Sequence, residues 1–194
     1  MTTIAQPEPM RSPTRRGAAT HFAHTNEVAE RFFGENADAI AHACQAMADR
    51  FQRHGRMFVC GDGAQRSDVA HVVVEFVHPV IVGKRALPVL PLPDIASGAA
   101  QQALVTLARS DDLLLVLSAS APDDAAQAVL ARARAKGLLT LALTGAASGS
   151  APLADHHFAV PSADACIVQE THEMLYHVLW ELVHVFFEHR SVRK

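Results

Sequence analysis

The chain predicts a doubly wound α/β domain: a five-stranded parallel sheet flanked by helices, with a long helix at each end. Two patterns carry this expectation. Short runs that are apolar at every position, of which Leu113-Leu114-Leu115-Val116-Leu117 is the clearest, suit strands buried on both faces. They alternate with segments whose apolar residues recur at threes and fours, the helical period. The 194 residues, 49% of them hydrophobic, suffice for one such domain and its core.

Residues 1–20, rich in Pro, Thr and Arg, show no hydrophobic period and read as a disordered N-terminal tail, leaving residues 21–194 as the domain. No apolar stretch follows Arg11, Arg15 and Arg16, so a secretory signal is not expected. From Thr25, Val28, Phe32, Ile40, Ala43, Met47 and Phe51 mark a helix, with Gly34 a site for a kink and Gly55 a stop. Met57 to Cys60 reads as a strand ending in the tight turn Gly61-Asp62-Gly63. Ser67 or Asp68 then caps a helix to about Val77, which Pro79 ends. The alternation repeats: a strand over Leu87–Leu92, a helix over Ser97–Arg109, the strand Leu113–Leu117, a helix over Pro122–Lys136 stopped by Gly137, and a strand over Leu138–Leu143. A fifth strand is expected over His157–Val160, and one long helix, about Ala165 to Glu188, closes the chain.

A net charge of −3 with scattered basic residues gives no electrostatic footprint for nucleic acid. No apolar run approaches the roughly 20 residues of a membrane span. Three cysteines without a CxxC pair suit reduced thiols in a cytoplasmic protein.

In open α/β sheets, ligands bind beyond the C-terminal ends of the strands. Two loops lie there, Gly61–Ser67 and Ser118-Ala119-Ser120-Ala121-Pro122-Asp123, each opening a helix whose unpaired N–H groups suit an anion. The Gly61-Asp62-Gly63 turn lacks the third glycine of a dinucleotide fingerprint and the lysine of a P-loop, and serves equally as a plain strand-to-helix turn. Two polar groupings on apolar helices are more unusual. His71 and Glu75, at i and i+4, share one face beside Val72-Val73-Val74. Gln169, Glu173 and His177, each four apart, form a stripe on the closing helix. Leaving such groups buried without partners costs about 1–3 kcal/mol each. They therefore meet water, one another or a cation: imidazole, carboxylate and amide oxygen suit Zn²⁺ or a related ion, and an interhelical hydrogen-bonded cluster is the alternative. The remaining histidines read as peripheral: His21, His24, His54 and His189 as solvated, His156 and His157 as loop residues, and His184 as an outer neighbour of the cluster or an exposed side chain.

Taken in order, Cys60-Gly61-Asp62-Gly63, Asp68, His71-x-x-x-Glu75, Leu113–Leu117 into Ser118-Ala119-Ser120, Leu141-Ala142-Leu143-Thr144-Gly145, and Gln169-Glu170-Thr171-His172 followed by His177 resemble a SIS (sugar isomerase) domain of the phosphoheptose isomerase type, over nearly all of residues 25–190. The resemblance implies zinc on His71, Glu75, Gln169 and His177. It implies Glu75 and His177 as an acid/base pair interconverting sedoheptulose 7-phosphate and a heptose 7-phosphate through an enediol. It also implies substrate contacts from Gly61, Asp62, Gly63, Ser118, Ala119, Ser120 and Asp123, and a homotetramer with sites between subunits. The apolar closing helix (Val178, Leu179, Trp180, Val183, Val185, Phe186, Phe187) points to an oligomer independently.

The chain departs from that pattern where the phosphate should rest. The serine-rich loop has become Ser118-Ala119-Ser120-Ala121-Pro122-Asp123, and Asp62, Asp123 and Asp124 add negative charge. Arg66 and the Lys84–Arg85 pair are the cations available to offset it. Two functions follow: a metal-assisted sugar-phosphate isomerase, or a non-catalytic SIS domain that binds a ligand or organises a partner with a degenerate phosphate cradle.

Overall fold

The computed structural model describes residues 13–61, 63–79, 81–120, 123–146 and 153–191. Helix α1 (Pro13–Gln52) leads into β1 (Met57–Gly61), α2 (Arg66–Val77), β2 (Val89–Pro91), α3 (Ala99–Leu107), β3 (Leu113–Leu117), α4 (Asp124–Ala135), β4 (Leu139–Thr144), β5 (His156–Ala159) and α5 (Ala165–Ser191). Single 3₁₀ turns, Gly63–Gln65 and Ile95–Ser97, precede α2 and α3. The strands form one sheet in the order β2-β1-β3-β4-β5, every pair parallel, as the unbroken apolar runs predict. Chain direction along the sheet reverses between β1 and β3. The crevice at their C-terminal ends is the usual ligand position in such folds.

Period-two alternation divides the core. Met57 and Val59 of β1, Leu113, Leu115 and Leu117 of β3, and Leu139, Leu141 and Leu143 of β4 face a layer made by α1, α2 and α5. Phe58, Cys60, Leu114, Val116 and Ala142 face α3 and α4. All six residues that mark the period of α1 are buried, so its inward face was read correctly. Cys44 and Cys60 are buried thiols whose pKa burial pushes up to about 12, while Cys166 is exposed.

Several boundaries differ from the sequence reading. Helix α1 begins at Pro13, not Thr25; residues 17–24 are exposed on every side, so no buried face imposes a period there. The rest of the expected tail, residues 1–12, lies outside the described residues. Gly34 sits within the continuous helix α1. The left-handed residue at its end is His54 (φ 65°), and Gly55 is required for space, since a Cβ there would lie 2.2 Å from the Asp111 carbonyl oxygen. Neither Ser67 nor Asp68 caps α2: both lie in its first turn, and the N-cap Gln65 makes no side-chain cap bond. Helix α4 starts at Asp124, with Asp123 as its cap; Pro122 is outside the described residues. His156 and His157 belong to β5, where Thr144 Oγ1 meets His157 Nε2 at 2.9 Å. His184 is buried, its ring nitrogens against the carbonyl oxygens of Trp180 and Arg85 at 2.8 and 3.0 Å.

Gly145, just beyond β4, ties the sheet to the loop after β3. A Cβ on it would lie 2.2 Å from the Ala119 carbonyl oxygen. Gly145→Ala is therefore expected to cost roughly 1–3 kcal/mol and to displace Ser118–Ser120. Chemical denaturation checks this, and a variant as stable as the parent contradicts it.

Candidate active site

Helix α2 turns Val69, Val72 and Phe76 into the core, and this orientation leaves His71 and Glu75 on the flank facing α5. On α5, Ile167, Val168, Leu175, Leu179 and Val183 are buried, so the stripe Gln169, Glu173 and His177 faces α2 half-exposed. The two polar groupings meet along this seam. His71 Nε2 lies 3.4 Å from His177 Nε2, and Glu75 Oε2 lies 4.0 Å from His177 Nε2. Glu75 is the most enclosed of the three, its side chain 14% exposed.

One donor atom each from His71, Glu75 and His177 fall within 4.8 Å of one another. Two imidazole nitrogens bound to one tetrahedral zinc at the usual ~2.05 Å would stand about 3.3 Å apart. The observed 3.4 Å between the two Nε2 atoms matches that spacing, so these residues fit a divalent cation. Gln169, the fourth expected ligand, sits one step along the seam and is otherwise engaged. Its amide nitrogen donates to Asp68 Oδ1 at 3.0 Å and to Ser67 Oγ at 3.4 Å. Burial raises the pKa of Asp68, the Gln169 hydrogen bond opposing it, and Asp68 Oδ2 is buried without a hydrogen-bond partner.

Two further groups meet His71: Glu173, expected from the sequence as part of the polar stripe, and Tyr176, which the sequence did not single out. The Tyr176 hydroxyl is 2.9 Å from His71 Nδ1, and Glu173 Oε1 is 3.5 Å from the same atom. Glu173 was legible only as a member of the polar stripe. Tyr176 is the single tyrosine of the chain and lies three residues after Glu173, a spacing that places both on neighbouring positions of α5. Burial, with Glu173, Asp68 and Glu75 nearby, raises its pKa and keeps it a hydroxyl at neutral pH.

The two loops predicted to meet a ligand flank the crevice between β1 and β3. Gly61 is forced to be glycine, since a Cβ would press on the Gln65 side chain at 2.8 Å and the Leu117 carbonyl oxygen at 3.0 Å. Gly63 opens the following 3₁₀ turn; Asp62, Ala121 and Pro122 lie outside the described residues. Ser118 is buried, and its Oγ accepts a 3.4 Å bond from the Ser120 N–H. Asp123 Oδ1 accepts from the Ala126 N–H at 2.8 Å, so the start of α4 is met by the chain's own carboxylate. Of the cations expected to offset this charge, Arg66 stands at this edge, paired with Asp94 at 3.2 Å. Lys84 and Arg85 do not. They precede β2, at the opposite edge of a parallel sheet, where Lys84 pairs with Glu188 and Arg85 lies over the Phe187 ring.

The sequence profile of the SIS domain family matches residues 20–145. A phosphoheptose isomerase of Solidesulfovibrio magneticus is 30% identical over 171 residues, covering 81% of this chain and 84% of that protein. This chain is a SIS domain protein of the phosphoheptose isomerase family. Its fold is shared by a phosphoheptose isomerase from Francisella tularensis, with TM-score 0.77, 21% identity and coverage of 89% of this chain and 99% of that one. It is also shared by the sugar isomerase domain of an RpiR transcription factor from Sphaerobacter thermophilus, with TM-score 0.60, 19% identity and coverage of 91% and 94%. Among the described residues of this SIS domain protein, no helix is long and apolar enough to cross a membrane.

Proposed function

We propose that this SIS domain protein exchanges the aldose and ketose forms of a sugar phosphate, through an enediol, in the cytoplasm. The observation that carries the reading is the meeting of His71, Glu75 and His177 across α2 and α5 in a chain whose relatives are named phosphoheptose isomerases. Glu75 takes the proton from the carbon beside the carbonyl and returns it to the neighbouring carbon. His177 moves a proton between the carbonyl oxygen and the adjacent hydroxyl. His71, and Gln169 through its amide oxygen, join these two in holding a divalent cation, assigned as Zn²⁺, which when bound polarises the substrate's oxygens. Enclosure of Glu75 keeps water from competing for its proton. Gly61, Asp62, Gly63, Ser118, Ala119, Ser120 and Asp123 surround the rest of the sugar, and Arg66 is the cation at that edge.

The test is incubation of the zinc-loaded protein with heptose and hexose phosphates in heavy water. Ketose should form, with deuterium appearing on the carbon next to the carbonyl. No product and no exchange with any of them rejects the reading.

Asp123 at the start of α4 favours a second one, a SIS domain that binds a sugar-like ligand without turning it over. In that case sugar phosphates raise the unfolding temperature by mass action while no exchange occurs.

The assembly proposed for either reading is a homotetramer. Of the apolar residues of the closing helix, Leu179, Trp180 and Val183 are buried within the chain itself and offer nothing to a second copy. Val178, Val185, Phe186 and Phe187 stay partly exposed, and Phe22 of α1 and Met174 of α5, 67% and 36% exposed, line a groove together with His177, so apolar surface remains for a second copy. Light scattering reads the result directly.

A further inference from the structure

We infer that Tyr176 and Glu173 are positioning residues that fix the ring of His71, so that Nε2 presents its lone pair to His177 and Glu75. A neutral imidazole carries one proton, and the partner of one nitrogen decides which nitrogen holds it. Nδ1 of His71 has two partners, the Tyr176 hydroxyl at 2.9 Å and Glu173 Oε1 at 3.5 Å. A carboxylate can only accept, and a hydroxyl accepts as readily as it donates. Together they favour the proton on Nδ1 and leave Nε2 bare. The rings hold the same orientation: His71, Tyr176 and His177 stand mutually edge to face, with centroids 5.1–5.2 Å apart.

Two bare Nε2 atoms 3.4 Å apart repel unless a cation or a proton lies between them. With a cation there, Nδ1–H donates to the Tyr176 hydroxyl, and the Glu173 carboxylate 3.5 Å away favours that proton by its charge. Without one, the tyrosine hydroxyl rotates to donate to Nδ1, and Nε2–H turns to His177. Phenylalanine would fill the same buried space and do neither.

This inference rests on the cation proposed above, so its test is separable from that proposal. Zinc alone is titrated into the full-length protein against a coloured chelator, for the parent, His71→Ala, Tyr176→Phe and Glu173→Gln. The parent should bind zinc and His71→Ala should lose it. Tyr176→Phe and Glu173→Gln should each weaken binding roughly 10- to 100-fold, the usual effect of removing a partner of a metal-bound histidine. Their metal-free unfolding midpoints should stay near that of the parent. Nitrogen NMR of the zinc-loaded parent should show His71 protonated at Nδ1. Parental affinity in both variants, or His71 protonated at Nε2 in the loaded protein, overturns the inference. A change in one variant alone overturns it for the other residue. Zinc uptake absent from the parent, or unaffected by His71→Ala, removes the cation and the inference together.

Discussion

Glu75→Gln should lower the rate of isomerisation roughly 100- to 10,000-fold, the range a positioned general base contributes. Glutamine keeps the length and one oxygen of the native side chain but cannot take a proton. Glu75 is also the most enclosed of the three groups that meet across α2 and α5, so water has poor access to replace it. Ketose formation and deuterium uptake at carbon should fall together, because both need the same proton abstraction. His177→Ala should reduce ketose formation as well, through the proton that moves between oxygens. Turnover unchanged by Glu75→Gln takes that residue out of the mechanism and leaves the proton abstraction to another group.

Acid should destabilise the fold through His172. This side chain is fully buried, its Nε2–H donating to the Thr144 carbonyl oxygen at 3.2 Å while Nδ1 has no partner. Burial lowers its pKa to about 4 against the Thr144 bond, because a second proton would leave a buried N–H unpaired. The unfolded chain takes up that proton near pH 6.5 and the folded one near pH 4. The stabilisation is therefore complete above about pH 6.5 and is lost as pH falls towards 4, by about 3 kcal/mol. Burial likewise lowers the pKa of His156 and His157, which act in the same direction. Urea unfolding near neutrality and near pH 4, on the parent and on His172→Gln, isolates the His172 share. The glutamine keeps a donor for Thr144 and does not titrate. A parent that loses no more stability than the variant contradicts the assignment.

What the sequence revealed follows from what local pattern can encode. The run Leu113–Leu117 announces a strand buried on both sides because every residue of it contacts one layer or the other. The i, i+4 spacing of His71 and Glu75 announces a shared helix face because helix geometry alone guarantees it. The first turns of α1 were missed because a stretch exposed all round needs no apolar repeat. His156 and His157 passed for loop residues because β5 is an edge strand whose polar side chains are half-exposed. His184 passed for an outer side chain because the two carbonyl oxygens it bridges are brought together only by the fold. The hold of Glu173 and Tyr176 on His71 spans about a hundred residues of chain, and no spacing within either helix reports it. Likewise, nothing local says that Lys84 and Arg85 lie at the wrong edge of the sheet to meet an anion beside β1 and β3.

The side chains proposed to handle protons stand on the flanks of α2 and α5, whereas the segments that face the crevice hang from the tips of β1 and β3. In the proposed mechanism, reaction and recognition are thus carried by different parts of the scaffold. Diversifying only the two strand-tip segments, with Gly61 and Gly145 retained because backbone crowds them, would sample new substrates on an unaltered acid–base pair. The same separation lets natural drift rewrite the grip of such a protein while its chemistry stays in place.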